Sequence, residues 1–419
     1  MDSLPVELLT PICFLACTDG GPTACSLSLV SRHIHAVCRP ARFHSVAFSG
    51  PRVLTAVPHF LARLKEEHED RKRAEAASRV RHLFVSVLPP LAESQTMVWK
   101  VYVFTVTTLL RAVASDVETL SLVFSPWGPG RTKPIELDVA FPRLSELTVS
   151  GASFSAPQLG SAPAFPALRR LHLVSGPCSH EWTSLTPNVT HLRLSELPDL
   201  AANPEISLKE LQLITCPEPE SLWLPTPTPE ESETPDNPTH YPNLQQIIVQ
   251  PSCFPLFRGH GFYKGFIRWL WVSQPVSRVP MYLIPPDRGI DVDQRAKQER
   301  CSVKVRGLWL AGVEGSLCSW EPDEKYAHLT RSRGDEMPLY LTPWLEESPG
   351  SETPSGVSEG NGAGIRDQRN SSTSASTSTV PPGIWRRSGP RATWLHNSSI
   401  PAPQALEDME AMQREVERL

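Results

Sequence analysis

The chain has 419 residues, 43 of them proline, a hydrophobic fraction of 40%, and a net charge of −5 from 45 acidic and 40 basic side chains. That length allows roughly two or three domains, and proline at about double its usual share assigns part of the chain to linker. The near-balanced charge supplies no global field to draw in nucleic acid or an anionic membrane, and the best apolar run, Val101–Leu110, is only ten residues long, about half of a membrane span.

The first element is "LPVELLTPICFLACTDGG", residues 4–21. Leu4, Leu8, Ile12 and Leu15 fall on one helical stripe, which Leu9, Cys13 and Ala16 widen. Pro5 suits the first helical position and Glu7 the positive helix start. Pro11 removes a helical hydrogen bond and predicts a bend or break. "TDGG" then ends the helix, with Gly20 as its left-handed cap. A second helix is expected in "CSLSLVSRHIHAVCRP", with Leu27, Val30, Ile34 and Val37 on one face and Pro40 closing it.

Asp2 and Glu7 occupy the place of a basic n-region, which argues against a secretion signal and against a lipoprotein reading of Leu15-Ala16-Cys17. Cys13, Cys17, Cys25, Cys38, His33, His35 and His44 lack the two tight ligand pairs of a zinc module, so no metal is assigned. Nine cysteines, an odd number and mostly widely spaced, do not form a dense secreted framework. Reduced, mostly buried thiols in a cytoplasmic or nuclear protein are expected. A helical unit of about 40 residues cannot build a stable core alone. Its apolar faces must pack on the rest of the chain, on a partner, or on both.

The order Leu4-Pro5, Glu7-Leu8-Leu9, Ile12, then Leu29-Val30-Ser31-Arg32, Arg39-Pro40 and Phe43 resembles an F-box. It is similar in particular to the F-box-like domains abundant in basidiomycete fungi, and the resemblance covers residues 1–48. The resemblance implies docking to the Skp-family adaptor of a cullin–RING ubiquitin ligase, and through it to a cullin. Carried onto this chain, the docking surface is Leu4, Pro5, Leu8, Leu9, Ile12, Leu29 and Val30. The chain departs from the family at Pro11, inside the first helix, and at "CTDGGPTAC", a looser first connection. The residues alone also allow that Leu8, Ile12 and Val30 merely close the small helical core.

Residues 49–250 read as a degenerate repeat. Seven segments share L/V-x-x-L-x-V/L: "VRHLFV" (80–85), "VETLSL" (117–122), "LSELTV" (144–149), "LRRLHL" (168–173), "VTHLRL" (189–194), "LKELQL" (208–213) and "LQQIIV" (244–249). Their middle residues step by 37, 27, 24, 21, 19 and 36, near leucine-rich-repeat periods where the steps are short. The first apolar residue turns the chain inward, the next two point into a core from a short strand, and the polar residues between them face solvent. A helix is expected over 53–79, with Leu54, Val57, Leu61 and Leu64 on one face, and another over 97–116. The acidic, proline-rich stretch 216–240 reads as a surface loop with Thr-Pro phosphosite candidates at Thr226, Thr228 and Thr234.

Residues 251–345 read as the cap that a repeat fold needs. "RVPMYLIPP" (278–286) is expected as a last strand, "VKVRGLWLAG" (303–312) as a strand or closing segment, and Trp269, Trp271, Trp309, Trp320 and Trp344 as cap core. Residues 346–404 are Ser/Thr/Pro/Gly-rich and expected to be disordered. Residues 405–419 read as a short amphipathic helix. The fold class expected is therefore α/β: a small N-terminal helical F-box-like unit, an irregular leucine-rich-repeat-like α/β solenoid, and a disordered C-terminal tail.

No motif carries catalysis or a cofactor. Gly356-Val-Ser-Glu-Gly360 matches a nucleophile elbow in letters but lies in low complexity, and "GHGFYKG" (259–265) has glycines at the wrong spacing for a dinucleotide loop. The short basic patches "RKR" and "WRRSGPR" are broken by acids or prolines, so no nucleic-acid partner is assigned. The function expected is a non-catalytic substrate-recognition adaptor of an SCF-type ligase, whose solenoid holds an unknown target protein. The alternative is a solenoid scaffold that does not engage the ligase, for which Pro11 is the main argument.

Overall fold

The computed structural model describes residues 4–71, 79–87, 95–124, 135–156, 162–174, 181–197, 241–251, 279–284, 294–315 and 320. Segment 208–213, the loop 216–240, Trp269, Trp271, Trp344, the tail 346–404 and the helix 405–419 lie outside them. So do the glycine-rich stretch 259–265, residues 356–360, the "RKR" triplet beyond Arg71, and the "WRRSGPR" patch.

Three short helices open the chain: α1 (Val6–Ala16), α2 (Pro22–Ser28) and α3 (Arg32–Cys38). Helix α1 runs through Pro11 without a break. Pro11 is exposed, and the one helical bond it removes is that to the carbonyl of Glu7, an exposed residue, where an unpaired acceptor costs little. Pro5 is the residue before the helix, with extended ψ, and not its first helical residue. The predicted second helix is two helices. Leu29 and Val30 form a turn, and Ser31 restarts the chain as an N-cap whose hydroxyl accepts from Ile34 N–H at 3.1 Å.

Asp19 organises the α1–α2 turn. Its carboxylate accepts from the backbone N–H of Gly21 and Thr23 and from the Thr23 hydroxyl, at 2.7–3.3 Å. Gly20 has φ +83°, and a Cβ there would come within 2.7 Å of the Ala47 Cβ, so no larger residue fits. Leu9, Cys13, Cys17, Ala24, Ile34, Val37, Cys38 and Ala41 close a small core among the helices. Cys13 and Cys38 are joined as a disulfide, with Cα atoms 5.6 Å apart, which corrects the expectation of reduced thiols for that pair. Cys17 and Cys25 are free thiols.

The body is an eight-stranded sheet in which every described pairing is parallel: β1 (Ser45–Ser49), β2 (His82–Val87), β3 (Thr119–Phe124), β5 (Glu146–Ser150), β7 (Arg170–Val174), β8 (His191–Leu197), β9 (Gln246–Pro251) and β10 (Met281–Leu283), in that order. A two-residue pair, β4 (Ile135–Glu136) and β6 (Phe154–Ser155), forms a second small sheet. The first strand begins inside the 1–48 span read as helical.

Each repeat strand starts two residues after its sequence pattern does, because the first apolar residue belongs to the turn. Val80, Val117, Leu144, Leu168 and Val189 are all buried there. The next apolar residues form an in-register ladder, Val46, Leu83, Leu120, Leu147, Leu171, Leu192, Ile247 and Met281. Two positions later a second ladder runs through Phe48, Val85, Leu122, Val149, Leu173, Leu194, Val249 and Leu283.

The x-Pro-x-L phrase before four of these strands is one recurring turn. Leu144, Leu168, Val189 and Leu244 donate to the carbonyls of Phe141, Phe165, Thr186 and Tyr241 at 3.3–3.4 Å, with proline at the second position, where its fixed φ suits a type I turn. Asn188 Nδ2 donates to the Pro166 carbonyl at 2.9 Å, tying one turn to the previous one.

Helices α4 (Val53–Arg71) and α5 (Gln95–Val113) cover the face carrying the apolar ladders. Val57 and Leu64 of α4 are buried and Leu54 and Leu61 pack against the same core. A short helix, α6 (Glu181–Leu185), places Trp182 edge-on against Phe154. The other face of the sheet departs from expectation. On it Ser86, Ser121, Thr148, Ser150, His172, Arg193, Ser195 and Gln250 are buried and do not face solvent. Part of their cover is helix α7 (Gln294–Val313), which lies on β2 and β3. The 303–312 segment is thus helical, and it returns to the early strands rather than closing the far end. Trp309 and Trp320 are buried, against Phe84 of β2 and between His172 and His191.

Candidate functional site

Helix α1 is apolar on two sides. Leu9, Cys13 and Cys17, four apart, face inward and are at most 4% exposed. Leu8, Ile12 and Leu15 face outward, at 54%, 51% and 77% exposure. Leu4 and Val6 extend the apolar exposure toward the start of the chain. At the α2–α3 corner Leu29 and Val30 are 88% and 64% exposed. Of all large hydrophobic side chains exposed among the described residues, only Val303 lies outside this N-terminal unit.

The corner is held by hydrogen bonds and is no loose loop. Leu29 and Val30 N–H donate to the Ser26 and Leu27 carbonyls at 3.1 and 3.2 Å, and His35 Nδ1 contacts the Ser28 carbonyl at 3.2 Å. The polar ring closing this turn leaves two apolar side chains nowhere to go but outward.

The seven residues expected at a docking surface therefore separate. Leu4, Pro5, Leu8, Ile12, Leu29 and Val30 are exposed. Leu9 is a core residue, a correction that follows from the helical period: Leu9 shares its face with Cys13, whereas Leu8 shares its face with Ile12. Leu8, Ile12 and Val30 do not close the small core. Two further exposed residues, Val6 and Leu15, complete the apolar surface. Leu15 was legible as the fourth member of the stripe, while nothing in the sequence separates Val6 from a buried position.

The unit is fixed to the sheet. Ala47 N–H donates to the Gly20 carbonyl at 3.1 Å and the Ser45 hydroxyl to the Thr18 carbonyl at 3.1 Å. Phe14 meets His44 edge-on at 5.1 Å, His44 meets His82 at 4.8 Å, and Arg39 pairs with Glu67 of α4 at 2.9 Å. Burial, helped by the nearby Arg81 charge, lowers His44 to about 4. Burial, then the His44 and Arg81 charges, lowers His82 to about 3. Burial, with the Asp19 charge and Cys25 adding to it, raises the Cys17 thiol to about 11, so it stays protonated as a packing residue.

Among the described residues, a Ser–His contact lies on the polar sheet face: His172 Nε2 is 2.9 Å from Ser195 Oγ. Burial first, then the charges of Arg193 and Lys304, hold His172 well below its ordinary value. Both side chains are closed off from solvent, at 3% and 1% exposure, so no substrate reaches them in this arrangement. Among the described residues no group of three or more His, Cys, Asp or Glu is placed to hold a metal ion, and no helix is long and apolar enough to cross a membrane. No family model, curated protein or solved structure matches the chain.

Proposed function

We propose that the chain is a non-catalytic substrate-recognition adaptor of an SCF-type cullin–RING ubiquitin ligase. The N-terminal helices dock to the Skp-family adaptor, and through it to a cullin, by way of Leu4, Pro5, Leu8, Ile12, Leu29 and Val30. The strand-and-helix body, an irregular leucine-rich-repeat-like solenoid, holds the target protein. Ubiquitin transfer belongs to other subunits, and the chain acts by raising the effective concentration of target near them. The compartment is cytoplasmic, nuclear or both.

The observation that carries this reading is the exposed apolar surface on α1 and the α2–α3 corner, on residues that resemble an F-box. Large apolar side chains grouped on one small unit mark a contact surface, whereas singly scattered ones need no explanation. The in-register apolar ladders and recurring proline turns support the repeat reading of the body. The rival reading, a scaffold that does not engage the ligase, rests mainly on Pro11, and Pro11 lies inside α1 without ending it.

The test is capture of a purified fungal Skp-family adaptor by the full chain, beside the double variant Leu8→Asp, Ile12→Asp. The parent is expected to bind and the variant to fail. No binding by the parent contradicts the reading, and binding that survives the substitutions contradicts the surface.

A further inference from the structure

The two sides of the sheet are covered by unlike means. Helix α5 buries Tyr102, Thr105, Val106, Thr108, Leu109, Leu110 and Val113, and the strands beneath it present unbroken apolar ladders. Helix α7 buries Cys301, Ser302, Val305 and Trp309 over strands that present Phe84, Ser86, Ser121, Val123 and Ser150. Its contacts are in good part polar: Ser302 Oγ to Ser86 Oγ at 2.7 Å, Cys301 Sγ to Ser150 Oγ at 3.6 Å and Lys304 Nζ to Gln250 Oε1 at 3.2 Å. On the same helix the Arg306 Nε and Trp309 Nε1 donors are buried with no acceptor among the described residues.

We infer that α7 is a releasable strap, which leaves the sheet as a unit and uncovers a hydroxyl- and amide-lined face without unfolding the body. The physical reasons are two. The neutral hydrogen bonds of Ser302 to Ser86 and Cys301 to Ser150 exchange with water at small net cost, and burying a donor without an acceptor, as at Arg306 Nε and Trp309 Nε1, costs free energy that opening returns. Against this, among the described residues α7 gains a small apolar cluster, a fraction of what α4 and α5 gain. Cooperative units of low stability of this kind open ahead of global unfolding. The side chains uncovered, Ser86, Ser150 and Gln250, offer donors and acceptors to a polar segment of a bound protein. That last assignment rests on the target-holding role proposed for the body; the opening of α7 does not.

Hydrogen exchange on the full chain tests it. Amides of 301–313 are expected to exchange through openings at least about tenfold more frequent than those of β2, β3 and β5. Equal protection in α7 and these strands overturns the inference. A lock sharpens it: in a Cys301→Ser background, oxidised Ser86→Cys, Ser302→Cys is expected to bring α7 protection up to that of the strands. Unchanged α7 exchange in the locked protein also overturns the inference. Trp309→Ala is expected to raise α7 exchange about tenfold and leave β3 unchanged, and a parallel rise in β3 contradicts a strap that moves alone. Adaptor binding is read separately and is expected to be unaffected by the lock.

Discussion

The sheet body and the N-terminal unit treat apolar side chains in opposite ways. In the body the apolar ladder positions are all inside: Leu83, Leu120, Leu147, Leu171, Leu192 and Ile247 are each at most 2% exposed. In the N-terminal unit one helix carries two apolar faces, and only that of Leu9, Cys13 and Cys17 is buried. Core formation accounts for the first face. The second, Leu8, Ile12 and Leu15, is apolar surface that the described residues leave uncovered, and it is the surface on which the proposed adaptor docking rests.

Truncation is the strongest way to break that comparison. Leu122→Ala and Leu147→Ala are expected to destabilise the protein by about 2–5 kcal/mol, the cost of a cavity in a close-packed core. Leu9→Ala is expected near the lower end of that range, since its core is small. Leu8→Ala and Ile12→Ala are expected to stay within about 0.5 kcal/mol of the parent. Denaturant midpoints at constant slope measure all five, and a large loss at Leu8 or Ile12 would show that the two faces are alike after all.

Acid sharpens the comparison at the junction. His44 and His82 are held at about 4 and about 3, below their unfolded value near 6.5. The unfolded chain therefore binds more protons between these values. Stability is present above pH ~6.5, falls as pH drops through the window from 6.5 to about 4, and continues falling more gently toward 3. The rings are 4.8 Å apart, so charging one opposes charging the other. Unfolding midpoints across this range are expected to fall with pH, and a His82→Gln variant to fall less steeply. A flat profile would mean that both rings are free to charge in the fold.

The smallest effect is expected at the N-terminal ends of the strands, where Arg81–Glu118 and Arg170–Glu146 lie at 3.5 Å. These pairs are partly exposed, so Arg170→Ala is expected to cost below about 1 kcal/mol and to converge with the parent in high salt.

Much of the fold was legible because period-2 apolar patterning has one physical cause, a strand with a buried face. The two-residue offset of every strand was not, since a turn residue and a strand residue are equally apolar when both are buried. The polar residues between the ladders, His172 and Arg193 among them, carry no sign in the sequence that a distant helix and Trp320 cover them. Residues 303–312 alternate apolar and polar well enough to read as a strand, yet Cys301, Val305 and Trp309 at four-residue spacing face one way on a helix. At the site, helical spacing groups Leu8 with Ile12. It also groups Leu9 with Cys13, and only the structure shows which pair is inside. Leu29 and Val30 are exposed because Ser31 restarts the helix, a cap signal that was present but weaker than the apolar period across it.

The measurement that bears most directly on the central claim is the affinity of the full chain for a purified Skp-family adaptor, compared with Leu8→Asp, Ile12→Asp at matched stability. Saturable binding by the parent, abolished in the variant with its unfolding midpoint unchanged, is the predicted result. No binding by the folded parent would contradict it.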